Sequence, residues 1–320
     1  MESTLPTLSI VIPLYNEEKV FEYLIQRLDK IISQSPNKIE IVLVNDGSTD
    51  NTVKLITEKT SLNSNYVGVL LSRNFGHQIA VTAGLSISKA SEAIMVIDGD
   101  LQDPPELVFD FYAKLNEGYD VVYAVRKNRK EGIFKKSAYF IFYRLLNSIT
   151  NIDLPLDSGD FCMMSRRVVD VMNNMKEESR YLRGMRVWAG FKQIGYEYER
   201  ASRAAGEPKY NFKMLLNLAY TGIFNFSDFP IKLITRLGTL GIISSIIYLI
   251  YNIIIRLSTD IVPSGFTALV FLIILFGSIQ FLFLGILGEY IIRIFFQSKT
   301  RPLFIIDKIL SSNKIHKNNG

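Results

Sequence analysis

Residues 93–105 read AIMVIDGDLQDPP, five apolar positions followed by Asp98, Gly99, Asp100, Leu101, Gln102 and Asp103, then two prolines. The apolar run predicts a short buried strand, and three carboxylates crowd the point where it ends. Carboxylates this close repel one another unless a cation, hydrogen-bond donors or open water compensates them. The stretch therefore has two readings. One is a solvated turn, because Asp, Gly and Pro are ordinary turn residues. The other is a divalent-cation site at a strand end.

Upstream lie three runs of the same kind, 8–14 (LSIVIPL), 39–45 (IEIVLVN) and 66–71 (YVGVLL). Between them Val20, Leu24, Leu28 and Ile31, then Val53 and Ile56, recur at helical spacing. Strands apolar on both faces that alternate with helices predict an α/β fold with a mostly parallel sheet covered on both sides. Such sheets bind ligands beyond the carboxyl ends of their strands. The polar clusters fall there: YNEE at 15–18, NDGSTD at 45–50, SRNFGH at 72–77 and DGDLQD at 98–103. Four clusters on one rim are more than turns alone account for, which favours the cation.

Asp98 and Asp100 are hard oxygen ligands of the kind Mg²⁺ or Mn²⁺ prefers. Gly99 is read as leaving room for a diphosphate, and Asp103 as the cap of a helix starting near Pro104. Ser48, Thr49 and Asp50 are N-cap candidates for the helix carrying Val53 and Ile56. Asp46 is placed to accept from a ring N–H or a ribose hydroxyl. His77 and His316 are the only histidines, so a histidine metal site or a Ser-His-Asp triad has little to draw on. His77 is read as a structural hydrogen-bonder.

The chain is 48% hydrophobic, with a mean hydropathy of +0.18. Leu237–Ile255 is 19 residues without a charge and Ile261–Gly288 is 28; each can cross a hydrocarbon core of about 30 Å as a helix. The connection at 258–264 holds Asp260 and Pro263, so the pair predicts two C-terminal transmembrane helices in a hairpin. Lys232 and Arg236 precede it, Arg293, Lys299 and Arg301 follow it, and the connection has at most Arg256. This bias puts both termini in the cytoplasm.

The apolar stretch at 8–14 is short, contains Pro13 and lacks a basic leader, so no signal peptide is expected. The single Cys162 fits a reducing compartment. Lys plus Arg number 36 against 31 Asp plus Glu, and a net charge of +5 argues against a nucleic-acid partner. Segments about 133–150 and 211–228 carry apolar residues at helical spacing but are too polar to span, which suits interfacial helices. The expected layout is a cytoplasmic domain over 1–232, a hairpin over 233–295 and a cytoplasmic tail over 296–320. Gly238, Gly241, Gly277, Gly285 and Gly288 can pack against copies, which allows a homo-oligomer.

The stretches VIPLYNEE, VNDGSTDNT, RNFGHQIAVTAGL, DGDLQDPPE and SGDFCMMSRR occur in that order. Together they resemble the family 2 glycosyltransferases of the dolichyl-phosphate mannose synthase type, in the bacterial polyprenyl-phosphate (bactoprenol) glucosyltransferase branch. The resemblance runs from Leu8 to about Arg301. It implies a nucleotide-sugar-binding, GT-A-like fold, Mg²⁺ or Mn²⁺, and inverting transfer of one hexose to a membrane polyprenyl (undecaprenyl) phosphate. It implies UDP-glucose as donor, the cytoplasmic face of the bacterial cytoplasmic membrane as the location, and cell-surface glycan modification as the use. By motif match it places Pro13, Tyr15, Glu17 and Asp46 around the nucleotide, and Asp98, Asp100 and Gln102 at the metal. Arg126 falls near the reacting phosphates, and Asp160 is the catalytic carboxylate, as base or orienting group. Arg203 and Lys209 lie in a basic loop that closes over the donor; that loop usually reads GxSKY, and here Pro208 replaces the small polar residue.

The six cations of 126–136 suit an anionic lipid headgroup, with Arg129, Lys135 and Lys136 assigned to the acceptor phosphate. A phosphate monoester has a second pKa near ~6, so the acceptor needs little help from a base. Two rivals stand beside this reading. A processive polysaccharide synthase would use a Q-x-x-R-W motif, whereas RGMRVWAG at 183–190 holds an arginine and Trp188 in another order. A non-catalytic nucleotide-sugar-binding scaffold would need none of Asp98, Asp100 and Asp160.

Overall fold

The computed structural model describes residues 5–126, 158–178, 180–199, 229–258, 265–312 and 316–317. The chain forms two compact units, the first from 1–143, 152–212 and 301–320, the second from 144–151 and 213–300.

In the first unit the predicted strands form as β1 (Leu8–Leu14), β2 (Ile39–Asn45), β3 (Tyr66–Leu71) and β4 (Ala93–Val96). They pair in parallel, β4–β1–β2–β3, and every residue in them is buried. Helices α1 (Glu18–Gln34), α2 (Thr52–Leu62) and α3 (His77–Ile87) make the crossovers. α1 buries Val20, Phe21, Leu24, Ile25, Leu28 and Ile31, one stripe at helical spacing. It stops at Ser35, whose extended backbone is what the following Pro36 demands. Truncating a fully buried Leu28 on this stripe would cost about 2–5 kcal/mol.

The stretch after residue 106 is irregular in sequence but contributes a 3₁₀ turn (Pro105–Leu107), α4 (Val108–Asn116), β5 (Val121–Arg126), β6 (Ser158–Ser165), α5 (Arg166–Asn174), α6 (Leu182–Trp188) and β7 (Gln193–Tyr198). β6 runs antiparallel to β4 and β5, and β7 runs parallel to β5. This reversal matters for the site. β6 starts at the rim where its neighbours end, so its first residues join the polar clusters.

The segment expected as a tail from 296 also contributes to the sheet. β8 (Ile306–Leu310) lies antiparallel on β3, and β9 (His316–Lys317) pairs with β8. Among the described residues the order is β7-β5-β6-β4-β1-β2-β3-β8-β9.

The second unit contains α7 (Phe229–Ser258) and α8 (Phe266–Ser298). Each extends beyond the uncharged run that predicted it at one end or both. Among the described residues one segment, Leu275–Ser298, is long and apolar enough to cross a membrane; Ile234–Tyr248 in α7 is apolar but shorter. Leu240, Ile243, Ile246, Ile247 and Ile250 on α7 are exposed, as are Leu269, Ile273, Phe281 and Leu282 on α8. Contiguous apolar exposure of this kind marks a lipid or protein contact. The expected interfacial helices and the 259–264 connection lie outside the described residues.

Candidate functional site

The site sits at the carboxyl ends of the parallel strands, around β4. Val96 pairs with Cys162 across β4 and β6, so the antiparallel run brings Asp160 opposite Asp98. After Asp100 the chain turns sharply at Leu101, whose φ of 60° is left-handed, a conformation costing a non-glycine residue about 1 kcal/mol or more. That turn lets the Gln102 N–H donate to Asp100 Oδ1 at 3.1 Å.

One expectation changes here. A Cβ on Gly99 would lie 2.5 Å from Leu14 Cδ2, so a side chain at this position would press on the end of β1. Asp103 does not cap a helix: the 3₁₀ turn at Pro105 has no side-chain cap. Asp103 is 2% exposed and accepts a short hydrogen bond from the Tyr198 hydroxyl.

Asp160 is held from three sides. Arg183 Nε donates to Oδ1 at 2.8 Å, Gln78 Nε2 donates to Oδ2 at 2.9 Å, and His77 Nε2 lies 3.5 Å from Oδ2. Gln78 is fixed in turn, its Oε1 accepting from the Leu182 N–H at 3.0 Å. The same His77 nitrogen is 3.5 Å from Asp98 Oδ1, so the imidazole bridges the two carboxylates.

Charge follows geometry. Burial disfavours the Asp160 anion, but Arg183 and His77 outweigh it and hold the carboxyl well below its ordinary range. Burial also opposes a charged His77, yet the bond to Asp160 and the charges of Asp98 and Asp160 push it up to about 9. Asp98 rises to about 6, chiefly through burial, with His77 opposing and Asp103, Asp160 and Asp100 adding to the rise. Arg183 and His77 thus both favour the Asp160 anion.

The residues fit a divalent cation. Among the described residues Asp98 Oδ1, apart from its 3.5 Å ion-pair contact with His77, and Gln102 Oε1 are buried oxygens that accept no hydrogen bond, and such hard acceptors on one loop suit Mg²⁺ or Mn²⁺. Among the described residues no three His, Cys, Asp or Glu side chains converge into a metal cage. A cation held by so few protein ligands completes its shell with water and substrate phosphate.

The remaining expected residues are distributed along the rim. Pro13 is buried in β1 and Tyr15 is 42% exposed. The Glu17 N–H donates to Thr52 Oγ1 at 3.0 Å, anchoring the β1 loop to α2. Asp50 accepts from the first N–H groups of α2 and α1, Thr52 at 3.0 Å and Glu18 at 3.2 Å, the capping role read from the sequence. Asp46 is 3% exposed and accepts from the Phe75 and Gly76 N–H groups at 2.7 and 3.0 Å. It shapes the 72–76 loop, which approaches so closely that a Cβ on Gly47 would meet Asn74 N at 2.4 Å.

Arg126 ends β5 beside Gly159, its Nη2 3.8 Å from where a Cβ there would sit. Arg129, Lys135, Lys136, Arg203 and Lys209 lie outside the described residues. The sequence reading did not single out Gln78, Arg183 or Tyr198. Gln78 stands next to His77 in a quoted motif, and Arg183 was noted only for breaking the processive pattern.

The sequence model for glycosyl transferase family 2 matches residues 9–172. A Bacillus subtilis (strain 168) protein described as an uncharacterized glycosyltransferase, YkcC, is 44% identical over 301 residues, covering 94% of this chain and 93% of that protein. The bactoprenol glucosyl transferase of Shigella phage SfV is 35% identical over 300 residues, 93% of this chain and 97% of its own. The prophage bactoprenol glucosyl transferase homolog of Escherichia coli (strain K12) is 35% identical over 303 residues, 94% of this chain and 99% of its own. Among solved structures, Mycobacterium tuberculosis glucosyl-3-phosphoglycerate synthase with Mn²⁺, UDP and product aligns with a TM-score of 0.44 at 18% identity, covering 67% of this chain and 76% of that one.

Proposed function

Because this chain belongs to glycosyl transferase family 2, we propose that it is a metal-dependent, inverting transferase of a single hexose, glucose from UDP-glucose, to polyprenyl phosphate. The observation that carries the reading is the pair of buried oxygens on Asp98 and Gln102 that accept no hydrogen bond, opposite an Asp160 already committed to Arg183. One loop is short of a cation and the facing carboxylate has no proton work to do. The similarity to bactoprenol glucosyl transferases over nearly the whole chain supports the lipid acceptor and the sugar.

Asp98, Asp100 and Gln102 would hold the ion. A bound Mg²⁺ or Mn²⁺ supplies charge neutralisation of the donor diphosphate and polarises its bond to the sugar. Arg126 adds positive charge where the leaving diphosphate develops its own. An acceptor phosphate oxygen forms a bond to the anomeric carbon as the bond to the diphosphate breaks. The electron pair leaves with the nucleoside diphosphate and the anomeric configuration inverts. With a second pKa near ~6 the phosphate enters ionised, so no base is required. Asp160 keeps Gln78, His77 and Arg183 in register along the site wall.

The membrane assignment rests on the apolar exposure of α7 and α8 and on connectivity. β8 follows α8 in sequence yet belongs to the same sheet as β1–β7. A chain that crossed a membrane once could not return to that sheet, so the two helices cross together or not at all. The lysine and arginine bias supports a sheet on the cytoplasmic side, where nucleotide sugars are available.

The test is incubation of purified protein with polyprenyl phosphate, Mg²⁺ and a panel of radiolabelled nucleotide sugars. Labelled lipid from UDP-glucose is expected. No lipid product from any donor would overturn the reading.

A further inference from the structure

Two strand ends and the DGDLQD loop meet near one hydroxyl. Tyr198 is the last residue of β7 and is cross-strand to Arg126, the last residue of β5. Its hydroxyl donates to Asp103, one residue beyond Gln102. Arg126 thus stands beside the phenol, where its positive charge acts on it, and it also flanks Gly159, the neighbour of Asp160.

The Tyr198 ring is locked from behind. It packs edge-on against Phe161 at 5.5 Å, and Phe161 rests on Phe111 at 5.1 Å. Tyr198 is 7% exposed, Phe161 2% and Phe111 fully buried. A hydroxyl on so rigid a stem is a fixed point, whereas an arginine at a strand end has four rotatable bonds to hold. Burial, followed by the Asp103 charge and its hydrogen bond, drives the phenol far above its ordinary titration range. It remains a neutral donor.

We propose that Tyr198 is a positioning residue: anchored to Asp103 by its hydroxyl and cross-strand to Arg126, it fixes that arginine relative to the Asp98–Gln102 loop. This rests on the proposed function for its consequence, the aim of Arg126 at the leaving diphosphate, but the arrangement itself does not. Tyr198 touches no reacting atom; it acts through Arg126.

The experiment is a double-mutant cycle in the full-length protein. Tyr198→Phe removes the hydroxyl and keeps the ring, and a ~10-fold or larger fall in kcat with little change in donor KM is expected, since small misplacements of an aimed group carry penalties of that order. Arg126→Ala should fall further. Tyr198→Phe added to Arg126→Ala should cost nothing more, because the first variant acts only through the second residue. Additive losses would show a general structural role and overturn the proposal, as would an unchanged kcat in Tyr198→Phe. Should Tyr198→Phe fail to fold, Asp103→Asn takes its place in the same cycle with the same expectations.

A substrate-free readout separates the two claims. The Arg126 side-chain N–H signals, assigned by ¹⁵N-arginine labelling, should broaden and exchange faster in Tyr198→Phe even if the wild type transfers no sugar. No transfer by the wild type counts against the proposed function alone. Unchanged Arg126 signals count against the latch alone.

Discussion

Arg183 Nε lies 2.8 Å from Asp160 Oδ1, with the two side chains 19% and 13% exposed. α6 and β6 are thus joined at Asp160, the carboxylate the motif match assigns as base or orienting group. A carboxylate paired so closely, and held also by Gln78 and His77, serves as an electrostatic strut. Arg183→Ala should lower stability by about 3 kcal/mol, the usual cost of breaking a poorly solvated pair, and lower kcat as well. Asp160→Asn should lower kcat by ~10²-fold or more, of the order seen when an oriented charge is removed from a site. Urea denaturation and steady-state kinetics on both variants check this; an Asp160→Asn enzyme with full activity would sink the strut.

Stability of the metal-free protein should fall as pH rises from 6.5 to 9. His77 titrates near 9 when folded, against about 6.5 unfolded. The folded state therefore binds the proton more tightly. The stability this adds is complete below the unfolded value and is lost as pH rises through the folded one. Asp98, raised to about 6 from about 3.9 unfolded, has the same sign and acts in a lower window, between those two values. Melting temperatures in EDTA across pH 5–9 should show the decline, and His77→Gln should flatten its upper part.

Removing the cation or its ligands should stop transfer without unfolding the chain. Asp98→Ala and Asp100→Ala alter a rim loop and leave the apolar core untouched. Circular dichroism should stay native while lipid-linked product disappears, and EDTA should do the same to the wild type until Mg²⁺ or Mn²⁺ is restored. Full turnover in EDTA is the contrary result.

Donor and acceptor contacts should separate kinetically. Lys135→Ala with Lys136→Ala should raise KM for polyprenyl phosphate, several cations at an anionic lipid surface being worth about 1 kcal/mol each. Arg203→Ala should instead weaken donor binding or lower kcat. Two KM series, in detergent and in anionic liposomes, measure this. Lost donor affinity in the double-lysine variant would move the basic run to the nucleotide side.

An engineered Thr259→Cys should react with an impermeant thiol reagent added to intact cells, and a cysteine placed after Leu310 should not. A Cys162→Ala background removes the native thiol. Labelling of the C-terminal position from outside would reverse the assigned orientation.

The parallel half of the sheet was legible because burial on both faces writes itself as unbroken Val and Ile runs, and β2 and β3 have the bounds those runs predict. β8 was not legible. IDKIL carries two charges in five residues, breaking the unbroken apolar run that marks the parallel strands, and it reads as tail. In the site, Asp98, Asp100 and Gln102 announce themselves by crowding. Gln78 and Arg183 do not, because they reach Asp160 across 82 and 23 positions and no local spacing encodes such a contact. Asp103 was read by residue type as a cap when its partner is Tyr198, visible only after folding.

The placement of β8 also sets an order of manufacture. Ribosomes deliver a chain from its N-terminus, so β3 leaves the ribosome with the backbone groups of Gly68–Leu71 unmatched on its outer side. Their partners, Ile306–Leu310, are translated only after both α7 and α8 have been made. An unmatched edge invites mispairing with other chains. The interval in which that edge is bare therefore spans the synthesis of both apolar helices. The sheet is completed last, by residues that arrive after the helices.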